Sequence, residues 1–263
     1  QNNSQQKIVF IGGLHRSGTS IIFKCLREHP EISGFEKTGV PEDEGQHLQT
    51  VYSTAKQHGG PGLFGFNPFS YLNERSSLVN PENKKRLFRD WSQYWDLRKI
   101  ILLEKSPPNL IRTRFLQAMF ENSYFIIIMR HPLATALATK RVMGLQRIIL
   151  PVSLLLWHWV ITYQVFLEDM KHLEHVYLIK YEDFSQNPSK VLRNIYEFLG
   201  VNTYPCTYKI NANTNKKYFD LWNKRAKSLF CRLHSKLLFQ IFEERFNRLG
   251  YETRDELILD PKP

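Results

Sequence analysis

Between a short apolar run and an amphipathic stretch lies Gly12-Gly13-Leu14-His15-Arg16-Ser17-Gly18-Thr19-Ser20. Glycines let a backbone turn tightly so that its N–H groups point inward. A helix opening just after the turn adds partial positive charge, and the two together cradle a phosphate. The interval from Gly13 to Gly18 matches the glycines of a Walker A loop, but Thr19 and Ser20 follow where that loop needs Lys and then Ser or Thr. Without that lysine the contact to the terminal phosphates of a nucleoside triphosphate is missing, which argues against an ATPase or kinase. Arg16 instead places a cation inside the loop, with hydroxyls on Ser17, Thr19 and Ser20. That set suits a 5′-phosphosulfate end.

A second anion site is readable farther along. The apolar run 124–129 ends in Arg130-His131-Pro132, and a helix-like pattern begins there. Proline is tolerated in the first turn of a helix, where its missing N–H costs little. Arg130 then stands at the carboxyl end of a buried strand, where ligands of α/β sheets bind, and a guanidinium there clamps phosphate with two hydrogen bonds.

These side chains need a scaffold. Runs rich in Ile and Val at 7–11, 100–103, 124–129 and 176–179 do not alternate with polar residues, which predicts strands covered on both faces. Helical spacing falls at 20–28, 83–95, 111–120, 133–141 and 153–173. Strand and helix in alternation predict an α/β fold, a three-layer sandwich around a central parallel sheet. Residues 59–73, glycine-rich with interleaved aromatics, read as a loop of the length that often serves as a substrate lid. The whole chain, 1–263, is expected to be a single domain with a disordered tail at 1–6. The stretch 216–236 reads as a basic amphipathic helix covering the core, with attachment to an anionic membrane as an alternative, and the family resemblance set out below would also permit a loop near Lys216 that closes over the nucleotide.

The 263 residues carry 36 Lys+Arg against 25 Asp+Glu, a formal net charge of +11 that favours a polyanionic partner. Composition excludes a disordered, collagen-like or coiled-coil chain. Three cysteines, Cys25, Cys206 and Cys231, are too few and too scattered for a disulfide framework, and no CxxC pair marks structural zinc. A reducing, cytoplasmic setting is therefore expected, with a trimmed Golgi-luminal domain as the alternative, and without membrane insertion, since the apolar runs fall short of the roughly 20 residues a bilayer needs.

Taken together, the two motifs resemble those of sulfotransferases that use 3′-phosphoadenosine 5′-phosphosulfate (PAPS). His15-Arg16-Ser17-Gly18-Thr19-Ser20 is similar to their 5′-phosphosulfate loop, and Phe125-Ile126-Ile127-Ile128-Met129-Arg130-His131-Pro132 to their 3′-phosphate strand. Leu103-Glu104-Lys105-Ser106-Pro107 and Tyr181-Glu182-Asp183-Phe184 resemble further signatures of the bacterial, Golgi and tyrosylprotein-type branches. The resemblance implies a P-loop-like fold, PAPS as donor with adenosine 3′,5′-bisphosphate (PAP) as product, and no metal. By position it implies that Arg16 contacts the leaving phosphate and the sulfuryl group. Ser17, Gly18, Thr19 and Ser20 would supply donors, Arg130 would hold the 3′-phosphate, Tyr181 would contact the nucleotide, and Lys105 would lie near the transferring group.

The catalytic base would follow the His29-Pro30 pair. Glu36-Lys37-Thr38 stands where the family reads Glu-Glu-Thr, so the base is Glu36 or an acid of Glu42-Asp43-Glu44. Two departures stand out. Ala138 replaces the usual serine after the arginine, with Thr139 beside it as a substitute contact, and His15 replaces the usual loop proline. The expected reaction moves a sulfuryl group to a hydroxyl or amine of a small molecule, glycan or peptide, with no nucleic acid involved. A P-loop kinase and a non-catalytic nucleotide or acidic-glycan binder are the competing classes.

Overall fold

The computed structural model describes residues 6–144, 150–225 and 229–251. Five strands form one parallel sheet: β1 Lys7–Gly13, β2 Ile32–Gly34, β3 Ile101–Lys105, β4 Ser123–Met129 and β5 Val176–Lys180. Their spatial order is β2-β3-β1-β4-β5. Parallel pairing requires crossover connections, and helices in those connections cover the faces. Neighbouring residues that point to opposite faces are accordingly both buried: Val9, Phe10 and Ile11 in β1, and Phe125, Ile126 and Ile127 in β4, are all fully inaccessible.

The described helices are α1 Thr19–Arg27, α2 Pro81–Ser92, α3 Thr113–Met119, α4 Pro132–Val142, α5 Val152–Met170, α6 Tyr181–Gln186, α7 Pro188–Leu199, α8 Lys216–Arg225 and α9 Leu229–Arg248. Local chemistry sets several ends. Asn80 accepts the Asn83 N–H at the start of α2, and Asn187 accepts the Lys190 N–H at the start of α7. Prolines occupy the first turns of α2, α4 and α7, and Gly200, left-handed at φ 69°, closes α7. Among the described residues no helix is long and apolar enough to cross a membrane.

The three-layer α/β fold predicted from the apolar runs is the one observed, with differences that have physical causes. Strand β2 is three residues long and carries too little apolar pattern to be read. The helix expected over 111–120 is observed as α3, starting two residues later because Pro107 and Pro108 open a 3₁₀ turn, Pro107–Ile111, just before it. Residues 59–73 hold two further 3₁₀ turns, Phe64–Phe66 and Pro68–Ser70. Of the basic stretch near the C-terminus, the described residues are helical on both sides of 226–228, in α8 and in α9, and 226–228 themselves lie outside the described residues. Of the expected tail, residues 1–5 lie outside the described residues, whereas Gln6 is held, its amide donating to the carbonyls of Leu97 and Lys99.

The cysteine expectation is corrected. Cys25 on α1 and Cys206 form a disulfide, their Cα atoms 5.1 Å apart across 181 residues of sequence. The segment after α7 folds back along α1, where the His29 ring nitrogen Nε2 lies 2.8 Å from the Asn202 carbonyl and the Thr207 N–H meets Glu28 at 2.8 Å. Spacing along the chain carries no trace of that return.

The register brings three strand ends together. Ile11 of β1 pairs with Lys105 at the end of β3, and Gly13 pairs with Ile128 near the end of β4. From central β1 the chain runs to one side of the sheet, and from β3 it crosses to the other. Such a reversal opens a crevice at the carboxyl ends, the usual ligand site of open α/β sheets.

Candidate active site

The glycine loop begins where β1 stops. At Gly13, φ is 151° and a Cβ would lie 2.5 Å from the Ile128 carbonyl oxygen, so a side chain there would collide with β4. The Ser17 N–H closes the turn onto the Leu14 carbonyl at 3.0 Å. Arg16 is itself left-handed, at φ 70°, and its side chain is exposed at the crest of the loop. Gly18, at φ 107°, is the N-cap residue of α1 and supplies no side-chain cap. The first N–H groups of that helix therefore have no side-chain acceptor at the cap, the setting that binds anions. Ser17 is fully buried and its hydroxyl has no hydrogen-bond partner; Thr19 is buried as well, and Ser20 is half-buried.

Arg130 leaves the end of β4 and returns toward this loop. Its Nη1 donates to the Arg16 carbonyl at 2.7 Å and its Nε to Asn215 Oδ1 at 2.8 Å, while its Nη2 is buried without a partner. The guanidinium lies 4.6 Å from the Tyr181 ring centroid and 5.5 Å from that of Tyr218, two cation–π contacts that hold it in place. Burial lowers its pKa, opposed by Tyr181, Tyr218 and Glu182. Tyr181 also packs on Gly18, where a Cβ would come within 2.4 Å of the ring. Thr139 donates to the His15 carbonyl at 3.3 Å, and Ala138 is buried beside Ala134 and Tyr218. Lys216, exposed, follows Asn215 at the start of α8. The unpartnered Ser17 hydroxyl and Arg130 Nη2 are buried hydrogen-bonding groups, which folded chains leave unsatisfied only rarely. A ligand carrying one phosphate near each fits them.

The third strand end supplies Lys105, fully buried, whose ammonium donates to the Glu42 carbonyl at 2.9 Å and to Glu44 Oε1 at 3.2 Å. Glu44 Oε2 accepts from Gln46 Nε2 at 2.6 Å. Beneath them, Glu104 accepts from the Ser106 hydroxyl at 2.6 Å and from Asn109 Nδ2 at 2.5 Å, and Ser106 accepts the Gln46 N–H at 2.8 Å. Burial pushes the Glu104 carboxyl up to about 7 against the pull of Ser106, Asn109 and Lys105. The loop that delivers Glu44 is strained: Lys37, Glu42 and Asp43 are all left-handed, with φ between 50° and 54°. Asp43 tightens it by accepting the N–H and hydroxyl of Thr38 at 2.9 and 2.8 Å.

Of the two places named for a base, Glu36 is mostly exposed and pairs with Arg27 at 3.2 Å, whereas Glu44 lies against Lys105. His15 is sunk beneath the loop, with its ring edge-on to Phe64 at 5.6 Å, and burial takes its pKa down to about 4. The structure thus gathers Arg16, Ser17, Gly18, Arg130, Tyr181 and Thr139 into one cluster and Lys105 with Glu44 into another at the neighbouring strand end. Asn215 and Tyr218 have no sequence signal, because they reach Arg130 only through the return of the chain 85 residues later.

A parallel sheet with a glycine loop on its central strand and a buried arginine on the next defines a P-loop-like α/β fold. The sequence profile of the sulfotransferase family matches residues 9–205, and the chain belongs to that family. Solved structures share the fold. The sulfotransferase domain of the Synechococcus PCC 7002 olefin synthase aligns with TM-score 0.56 and 18% identity over 96% of this chain and 98% of that one. A sulfotransferase from Mycobacterium avium aligns at 0.54 and 15% over 95% and 79%, and one from Alicyclobacillus acidocaldarius at 0.50 and 20% over 93% and 96%. No curated protein matches the chain by sequence at a significant level.

Proposed function

We propose that the protein transfers a sulfuryl group from PAPS to a hydroxyl or amine acceptor. The observation that carries this is the meeting of the two cradles: Arg130 bonds the Arg16 carbonyl through Nη1 and keeps Nη2 buried and unpaired beside a loop whose Ser17 hydroxyl is also unpaired. Arg130 would take the 3′-phosphate, with Tyr181 and Lys216 beside the nucleotide. The N–H groups and hydroxyls from Ser17 to Ser20, with His15 and Thr139 supporting the loop, would take the 5′ end.

In the reaction the acceptor oxygen or nitrogen bonds to sulfur while the bond from sulfur to the bridging oxygen of the 5′-phosphate breaks, releasing PAP. Arg16 and Lys105 stabilise the charge that grows on that oxygen. Glu44 takes the acceptor proton; its contact with Lys105 supports it over Glu36 as the base. By analogy with phosphoryl transfer, such a displacement is governed by positioning and charge stabilisation.

Calorimetry with PAP and with ATP, both without metal, tests the donor site: PAP is expected to bind and ATP to bind far more weakly. An acceptor screen with radiolabelled PAPS tests transfer. Tight binding without transfer to any acceptor would favour a non-catalytic binder, and preference for ATP would refute the proposal.

A further inference from the structure

The two cradles sit on different strands, and one nucleotide can engage both only if their separation is held. The bond from Arg130 Nη1 to the Arg16 carbonyl is one tie, but it employs the group that grips ligand. Helix α5 provides another that leaves the ligand-binding groups free. Tyr163, fully buried, donates its hydroxyl to the Ile128 carbonyl at 2.7 Å, two residues before Arg130. The same hydroxyl accepts the Leu14 N–H, from the loop, at 3.4 Å. One helical turn earlier Trp159, also fully buried, donates its indole N–H to the Arg130 carbonyl at 2.9 Å. Residues four apart share a helix face, and these two rings lie 4.8 Å apart, so a single turn of α5 touches both cradles.

Burial raises the Tyr163 pKa, outweighing the opposite pull of the Leu14 N–H and the Ser17 hydroxyl, which keeps the phenol protonated and able to donate. Ser17 is close enough to influence this phenol, although its hydroxyl makes no hydrogen bond within ordinary geometric limits.

We propose that Tyr163, backed by Trp159, is a positioning residue that sets the distance between the glycine loop and Arg130, so that a single nucleotide is gripped at both phosphates at once. This rests on the nucleotide-binding function proposed above. When two contacts lie on one ligand, the second is strengthened by the first only while the geometry lets both form together. Loosening the separation therefore weakens a bisphosphate far more than a ligand that uses one cradle. A general structural defect would weaken every ligand alike.

The test is calorimetry of the wild type and Tyr163→Phe with adenosine 3′,5′-bisphosphate, adenosine 5′-monophosphate and adenosine 3′-monophosphate. The wild type is expected to prefer the bisphosphate. In Tyr163→Phe the bisphosphate affinity is expected to fall about tenfold, the scale of one buried hydrogen bond, with each monophosphate within about twofold of wild type. An equal fall for all three ligands, or no fall for the bisphosphate, overturns the positioning role and leaves the donor site intact. A wild type without preference for the bisphosphate overturns the donor-site assignment itself, and the positioning role with it. Should Tyr163→Phe fail to fold, Trp159→Phe, which removes the bond to the Arg130 carbonyl, is expected to show the same selective loss.

Discussion

Glu44 meets Lys105 at 3.2 Å and is steadied on its other oxygen by Gln46, whereas Glu36 spends its charge on Arg27 at the surface. Proton transfer to a positioned base is worth about 10²–10⁴-fold, so Glu44→Gln is expected to lose turnover on that scale while PAP affinity stays near wild type. Glu36→Gln is expected to remain within about twofold in turnover, since an exposed ion pair contributes little. Sulfate-transfer rates and calorimetry on both variants decide the matter; a large loss in Glu36→Gln would move the base there. Arg16 and Arg130 stood out as candidates because each follows an apolar run, and Lys105 through the family resemblance. Which acid lies against Lys105 did not stand out. The path from α1 to Glu44 passes through a three-residue strand and three left-handed residues, which leave no periodic pattern.

At the scale of elements, the loop, α1 and α6 lock together at Gly18. Alanine there would put a Cβ 2.4 Å from the Tyr181 ring on a backbone already at φ 107°. Gly18→Ala is expected to cost about 1–3 kcal/mol of stability and to weaken PAP binding. Gly39 is the matched control. It is also left-handed, at φ 83°, but a Cβ there would meet nothing within 4 Å, so Gly39→Ala should cost about 1–2 kcal/mol and spare PAP binding. Urea unfolding and calorimetry read both effects, and equal PAP affinities in the two variants would contradict the role given to the contact with Tyr181. The disulfide belongs to this scale too. It fastens the return segment to α1, and Cys206→Ser in oxidised protein is expected to cost about 2–4 kcal/mol, measured by urea unfolding with and without reductant. An identical midpoint for wild type in both conditions would show that the bridge carries no stability. The glycine spacing displayed the loop; neither its contact with Tyr181 nor the cysteine pairing is a local property, and neither was displayed.

At the scale of the whole molecule, three histidines shielded from water, His131 and His158 buried and His15 partly so, are expected to make the fold sensitive to acid. Burial lowers His15, His131 and His158 to about 4, 3 and 3 from 6.5. Each stays neutral in the fold and charges more readily when unfolded. The stability they support is therefore complete above pH 6.5 and is lost as the pH falls toward 4. Glu104 acts in the opposite sense: raised from 4.5 to about 7, it penalises the fold increasingly as the pH climbs between those values. Three groups outweigh one, so the urea midpoint is expected to drop between pH 6.5 and pH 4. His158→Gln should flatten that drop, and a midpoint that rises on acidification would contradict the balance.

What the sequence alone determined was whatever depends on near neighbours. Runs of Ile and Val must bury both faces, so they specify parallel strands; glycines after such a strand specify a tight turn into a helix; proline after Arg130 specifies a helix start. These follow from residue types within about ten positions of one another. Only the tertiary structure decided which acid meets Lys105, that Cys25 bonds Cys206, and that Asn215 and Tyr218 complete the surroundings of Arg130. Each joins segments tens of residues or more apart, and such contacts are set by how the packed elements close on one another, an outcome that no local pattern encodes.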